Sequence, residues 1–337
     1  VTGTEPPRLG VAVVGLGWWG RTIVSSLASS SRLRVVLGVD PDESVRSAAG
    51  IDLDIATTAD LGDALASDEV EAVVLCSPHR LHAAQVVAAA EAGKHVFCEK
   101  PFTVTSQEAR DALSAVRAAD VRIGIGHERR FEPAVQELQR RVRDGELGVP
   151  LLFEGNFSQD KFLSLPPDNW RLSAELAPVG PLSATGIHLV DLAISILGRP
   201  TEVWARLATM ATGFANGDTL SVTLGFESGA TATIGASLST PFVGRVCVLG
   251  STGWMEIRDR THPEASTGWD VMRVDRGGEP RTSHYPAFPA VRENLERFAE
   301  SVSGERPYPV SLSDMQLNVD TFAAIVRSAR SGRVEQV

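Results

Sequence analysis

Apolar runs alternate with helical periodicities over the first 125 residues. Residues 11–14, 33–39, 72–76, 95–98 and 121–125 are largely apolar, as strands buried on both faces of a parallel sheet are. Between them, residues 21–28, 44–49, 81–92 and 106–119 repeat apolar side chains at helical spacing. Such strand–helix alternation requires right-handed crossovers and predicts a doubly wound parallel sheet.

The pattern changes near Pro150. Residues 151–158, 203–211, 221–226, 231–237 and 246–249 alternate or cluster as antiparallel strands do, with turn signals at Asn216-Gly217 and Ser228-Gly229. Helical patterns flank or interrupt them at 131–143, 187–197, 291–302 and 312–331. The class is α/β in two domains, residues 1–125 and 126–337, each large enough to bury its own core. The final helix, rich in Ala and Val, is a candidate to pack back on the first domain.

Charge and composition narrow the partners. The formal net charge is −10 with both signs interspersed, which argues against nucleic acid. No stretch reaches the roughly 20 apolar residues of a membrane span, and residues 1–10 lack a basic-then-apolar leader, so a cytoplasmic protein is expected. Cys76, Cys98 and Cys247 lie far apart in apolar runs, and neither a disulfide nor a metal site is expected. Of 32 basic residues only Lys94, Lys100 and Lys161 are lysines. A lysine can lose its proton at accessible pH and an arginine effectively cannot, so these three invite a chemical reading.

The strongest local signal is GLGWWG, Gly15 to Gly20, between a predicted strand and helix, with Asp40 ending the next strand. In that context Gly15 permits the turn, Gly17 lets backbone approach a pyrophosphate, Gly20 allows close helix packing, and Asp40 accepts ribose hydroxyls. Asp40 opposes a 2′-phosphate and the following Pro41-Asp42 is not basic, so NAD is favoured over NADP. Of Trp18 and Trp19, one is expected to cover apolar surface and the other to edge the cofactor. The segment from Leu75 to Pro101 reads strand, turn, helix, strand. It adds Ser77, Pro78, His82, Glu99 and Lys100 to the candidate cofactor contacts at the strand ends where α/β sheets bind ligands. An amine held there, away from bulk water, can accept a proton. His79 and His82, three residues apart at a helix start, do not by that spacing make a metal site.

GLGWWG, the SPHRLH segment, AGKHVFCEKP, RRFEP, GIHLVD and PYPVSLSDMQLNVD together resemble the Gfo/Idh/MocA oxidoreductases across essentially the whole chain. The resemblance implies a Rossmann domain and a C-terminal α/β domain with a large, mainly antiparallel open sheet used for association, hence a homodimer or homotetramer. It implies a nicotinamide cofactor, catalytic Lys100 with a cis bond to Pro101, and His188 in the site's usual His or Tyr position. It draws the substrate pocket from Lys100, Arg129, Asn156, Trp170, Arg171 and His188. The implied reaction passes a hydride between the cofactor and a secondary alcohol or ketone of a sugar, cyclitol or related ring. A cis-dihydrodiol dehydrogenase for aromatic-acid derivatives and a catalytically silent sugar sensor are the alternatives. The family commonly has Asp four residues before the His, where this chain has Ala184. Either Lys100 and His188 act alone on a different substrate, Ser183 or Thr185 takes over, or activity is lost. Lys161 is a further candidate to reach an anionic substrate group, and Asp191 a support for its helix.

Overall fold

The computed structural model describes residues 8–337; the leader reading falls mostly on residues outside that range. The first unit comprises residues up to 128 together with residues 289–316, and the second comprises Arg129–Phe288 and Leu317–Val337.

In the first unit the elements are β1 (Leu9–Val14), α1 (Trp18–Leu27), β2 (Leu33–Val39), α2 (Glu43–Leu53), β3 (Thr57–Thr58), α3 (Leu61–Ala66), β4 (Ala72–Leu75), α4 (His79–Glu91), β5 (His95–Cys98), α5 (Ser106–Ala118) and β6 (Ile123–Ile125). The strands form a parallel sheet in the order β3-β2-β1-β4-β5-β6. β1 and β4 are buried along their whole length, which is why their sequences are unbroken apolar runs. Strand order reverses between β1 and β4, and ligands of such sheets bind outside the carboxyl ends at that reversal.

The second unit contains α6 (Pro133–Arg143), β7 (Pro150–Ser158), α7 (Ile187–Leu197), β8 (Pro200–Ala208), β9 (Thr219–Phe226), β10 (Thr231–Ser237), β11 (Val243–Gly250), β12 (Gly253–Asp259), β13 (Trp269–Asp275) and β14 (Arg281–Tyr285). After α8 (Ala290–Val302), which belongs to the first unit, come α9 (Leu312–Ser331) and β15 (Glu335–Gln336). The nine strands run β14-β13-β12-β11-β7-β10-β9-β8-β15, and every pairing is antiparallel except β7 with β10. Strand alternation sends Phe153, Val203, Val222, Ile234 and Val248 to the face that packs with Leu189, Val190 and Phe322. The opposite face carries Leu152, Trp204, Val243 and Met272, all exposed.

α8 returns to the parallel sheet, and the first turn of the expected final helix, α9, also belongs to the first unit, where Gln316 Nε2 donates to the Ser106 carbonyl at 3.2 Å. Leu295, Phe298 and Ala299 form one face of α8 and lie in the first unit's core, with the Phe298 ring 5.7 Å from Phe97. The rest of α9 contributes Phe322, Ala324 and Ile325 to the second core. It is fastened to β8 where the amide of Ala205 donates to Ser328 Oγ at 2.8 Å. Alanine and valine content alone does not distinguish two cores that are both apolar.

Candidate functional site

The glycine loop fits a dinucleotide. Gly15 has φ +91°, and a Cβ there would lie 2.9 Å from the backbone of Cys76 and Ser77. Gly20 faces the carbonyl of Gly15 too closely for any side chain. A Cβ on Gly17 would meet nothing within 4 Å, and Gly17 caps α1 without a side-chain hydrogen bond. The helix start is therefore open for the approach of an anionic pyrophosphate. Trp19 is packed against the first core and Trp18 is 55% exposed, so Trp18 is the tryptophan left to edge a ligand.

Asp40 is tied into the same loop. Its Oδ2 accepts the amide of Leu16 at 2.9 Å and its Oδ1 accepts the amide of Asp42 at 3.0 Å. Each oxygen retains acceptor capacity for a ribose hydroxyl. A residue the sequence reading missed also arrives here: Arg46, from α2, donates through Nη1 to the Asp40 carbonyl at 2.8 Å. The residues directly after Asp40 are not basic, but one turn of helix brings a guanidinium to them.

At the ends of β4 and β5, Ser77 Oγ donates to Gln85 Oε1 at 2.5 Å, and Pro78 caps α4. His82 is wholly buried, with Nδ1 2.9 Å from the Pro101 carbonyl and Nε2 3.0 Å from the Ser77 carbonyl. Both ring nitrogens face protein, which corrects its expected role as a cofactor contact. Glu99 is buried beneath Lys100, and its Oε2 accepts the Lys100 amide at 3.2 Å. Burial, reinforced by the nearby Glu128 carboxylate, pushes the Glu99 carboxyl up to about 7. The Trp19 indole N–H makes no hydrogen bond of full geometry, yet it and the charge of Lys100 favour the ionised form. Lys100 itself is half-buried at the carboxyl end of β5, and the Lys100–Pro101 bond is cis. Lys94 is used differently: its Nζ donates to the Ser67 carbonyl at 2.9 Å.

In the second unit His188 stands in the first turn of α7, 4% exposed, with its ring centroid 6.0 Å from that of Phe157. Phe157 in turn lies 6.1 Å from Phe242 and 6.0 Å from His262. The π-turn Leu182–Gly186 leads into α7 and holds Ala184, partly exposed among buried neighbours. Ser183 Oγ donates to the Pro178 carbonyl at 2.6 Å and Thr185 Oγ1 to the Pro181 carbonyl at 3.2 Å. Both hydroxyls donate to backbone carbonyls of their own turn and keep lone pairs that can accept.

Three expected pocket residues take other places. Arg129 is 1% exposed and donates to both oxygens of Asp259, at 2.9 and 2.8 Å, and to Glu132. Burial opposes its charge, but Asp259 and Glu132 outweigh that and raise its pKa. Trp269 Nε1 donates to the same Asp259 at 2.9 Å, so Arg129 is a buried strut between the turn before α6 and the strands β12 and β13. Asn156 accepts from Ser158 Oγ at 2.8 Å and, by alternation along β7, faces away from Phe157 and therefore from the His188 cluster. Lys161 forms an ion pair with Glu264, and His262 Nε2 lies 2.7 Å from Gln159 Oε1. Asp191 holds Arg130 through two contacts of 2.7 Å, which fixes α7 to the turn before α6.

Trp170 and Arg171 remain together. The Arg171 guanidinium lies 4.4 Å over the Trp170 ring. Burial lowers its pKa with no opposing carboxylate, and it forms no ion pair among the described residues. Asn216 fixes this turn by donating to the carbonyls of Arg171 at 2.7 Å and Ala177 at 2.9 Å.

Residues 9–127 match the oxidoreductase-family NAD-binding Rossmann fold, and residues 135–256 match the GFO/IDH/MocA C-terminal domain. A D-xylose 1-dehydrogenase [NADP(+)] of Haloarcula marismortui is 25% identical over 91% of this chain and 87% of its own length. The scyllo-inositol 2-dehydrogenase (NAD(+)) of Bacillus subtilis is 26% identical over 97% of this chain and 95% of its own. Among solved structures, the aldose-aldose oxidoreductase of Caulobacter crescentus, complexed with glycerol, superposes with a TM-score of 0.86. It is 27% identical and covers 98% of this chain and 100% of its own.

Proposed function

The chain belongs to the Gfo/Idh/MocA oxidoreductase family, and we propose that it oxidises a secondary alcohol, or reduces the matching ketone, of a sugar, cyclitol or related ring. The observation that carries the reading is Lys100, half-buried beside Glu99 at the carboxyl end of β5, in a sheet whose β1 ends in a loop fitted to a dinucleotide. The residues that would hold the cofactor are Gly15, Gly17 and Gly20 at its phosphates, Asp40 at its ribose and Trp18 along its edge. NAD is favoured by the Asp40 carboxylate.

A bound nicotinamide supplies the hydride acceptor. Lys100 Nζ takes the hydroxyl proton of the substrate as the carbinol carbon–hydrogen bond breaks, so the oxygen becomes a carbonyl without passing through a full alkoxide charge. His188 is proposed to hydrogen-bond that oxygen. Its pairing with Lys100 rests on their family positions. Ala184 brings no carboxylate to the site, so the charge left on Lys100 after the transfer has no Asp at that position to balance it.

A second reading has a specific observation behind it. Arg171, stacked on Trp170 and lacking an ion pair among the described residues, suits a substrate with an aromatic or flat face and a carboxylate, such as a cis-dihydrodiol of an aromatic acid. The open face of the second sheet, with Trp204, Val243 and Met272, supports a homodimer or homotetramer.

The deciding experiment measures NADH formation with a panel of sugars, cyclitols and dihydrodiols, with Lys100→Met alongside. Turnover confined to dihydrodiol acids moves the assignment to the second reading. Tight nicotinamide binding with no turnover on any of them leaves the silent sensor.

A further inference from the structure

His82 lies between two loops that carry candidate chemistry. Its Nδ1 is 2.9 Å from the carbonyl of Pro101 in the loop after β5, and its Nε2 is 3.0 Å from the carbonyl of Ser77 in the loop after β4. The side chain has no exposed surface. A neutral imidazole has one N–H and donates to one of these carbonyls at a time, while an imidazolium donates to both. In either state the ring spans the gap between the loops. Pro101 has no N–H, so the chain cannot anchor that point by donating from its backbone. Besides the amides of Glu99 and Lys100, which donate to the Leu75 carbonyl and to Glu99 Oε2, the loop is held at its carbonyls: Cys98 Sγ donates to that of Glu99 at 3.3 Å, and His82 engages that of Pro101. Lys100 is the residue between those two anchored carbonyls.

We propose that His82 is a positioning residue for Lys100, holding the backbone that carries the amine in register with the loop of Ser77 and Pro78. The ring touches neither substrate nor cofactor; it acts through the Pro101 peptide. This rests on the reading of Lys100 as the working amine. Small displacements of a reacting group are costly, and a displacement of about 1 Å can lower a rate by roughly a hundredfold. The bond from His82 to Pro101 is therefore worth more to reactivity than to stability.

The chain's shortage of lysine makes a direct test possible. Trace acetylation of the whole protein with acetic anhydride, read by peptide mass, follows Lys100 with Lys94 and Lys161 as internal controls. In His82→Phe, which keeps a planar ring and removes both ring nitrogens, the Lys100 rate should rise about tenfold as its loop is released. Lys94 and Lys161 should stay within about twofold, and NADH binding followed by tryptophan fluorescence should persist. His82→Gln, which restores one donor, should fall between. An unchanged Lys100 rate, or a common rise at all three lysines, overturns the proposal. If His82→Phe does not fold, His82→Asn carries the same comparison, because its one short amide cannot span both loops. Labelling needs no substrate, so the two ideas fail separately. Full turnover in Lys100→Arg removes the base reading, whereas an unmoved Lys100 rate in the His82 variants removes the positioning role.

Discussion

Asp40 Oδ2 accepts the backbone N–H of Leu16 at 2.9 Å, which fastens the end of β2 to the glycine loop after β1. The same carboxylate is therefore both a ribose acceptor and a brace for the phosphate loop. Asp40→Ala should weaken NAD binding by about tenfold, roughly one hydrogen bond to a charged group, and should narrow the preference for NAD over NADP. Arg46→Ala should weaken NADP more than NAD, since its guanidinium sits on the Asp40 carbonyl. Fluorescence titration of both cofactors decides it, and equal affinities in the unmutated protein would count against the Asp40 reading.

Lys100→Arg keeps a positive charge but cannot release a proton at any workable pH. Turnover should fall by about 10²- to 10⁴-fold with cofactor binding nearly intact. The wild-type oxidation rate should rise with pH through an ionisation that is missing from Lys100→Met. Near-normal turnover in Lys100→Arg, with its pH profile unchanged, would shift the base role to His188.

Glu99 makes the fold itself sensitive to pH. Its carboxyl is pushed by burial from an ordinary 4.5 to about 7, so between those values the folded state binds more protons than the unfolded state. Stability should therefore fall as pH rises through that window, by about 3 kcal/mol in total. Glu99→Gln removes this slope. Urea midpoints at about pH 5 and about pH 8 should differ less in the variant than in the wild type, and parallel slopes would refute it.

Ala184 occupies a π-turn whose neighbouring side chains are buried. Ala184→Asp would place a carboxylate among them, and turnover on the native substrate should not rise. A large gain would show that this site is a weakened form of the family's common arrangement.

The face of the second sheet that bears Trp204, Val243 and Met272 is the one left without helices. Sedimentation at micromolar concentration should show a dimer or tetramer, and Trp204→Glu should shift it toward monomer. A wild-type protein that sediments only as monomer would refute the association.

The parallel sheet was legible because β1 and β4 are buried and apolar along their length and β2 and β5 are mostly apolar, and because GLGWWG and Asp40 sit at the strand ends that this topology dictates. The outer strands β12, β13 and β14 were not, because they mix charges such as Arg258, Asp270 and Arg281 into their exposed positions. Side-chain identity singled out Lys100 and His188 as candidates but not the contacts made by their neighbours. Nothing local to HERRFEP tells that Arg129 pairs with Asp259, 130 residues further on. Phe157 and His262 were missed for the same reason, since Phe157 reaches His188 from β7 and His262 reaches Phe157 from the loop after β12. Alternation along β7 was the one available signal that Asn156 and Phe157 face opposite ways.

The detour of α8 sets the order in which the protein can be completed during synthesis. Phe97 finds Phe298, and the carbonyl of Ile125 finds Asn294 and Tyr308, only after the whole of the β7–β14 sheet has been made. A nascent chain stopped anywhere in that stretch holds a parallel sheet with one flank uncovered. The first unit to be translated thus stays open until α8 is made, and a truncation that spares every residue of the glycine loop and Lys100 but removes α8 should leave an aggregating fragment rather than a minimal cofactor-binding domain.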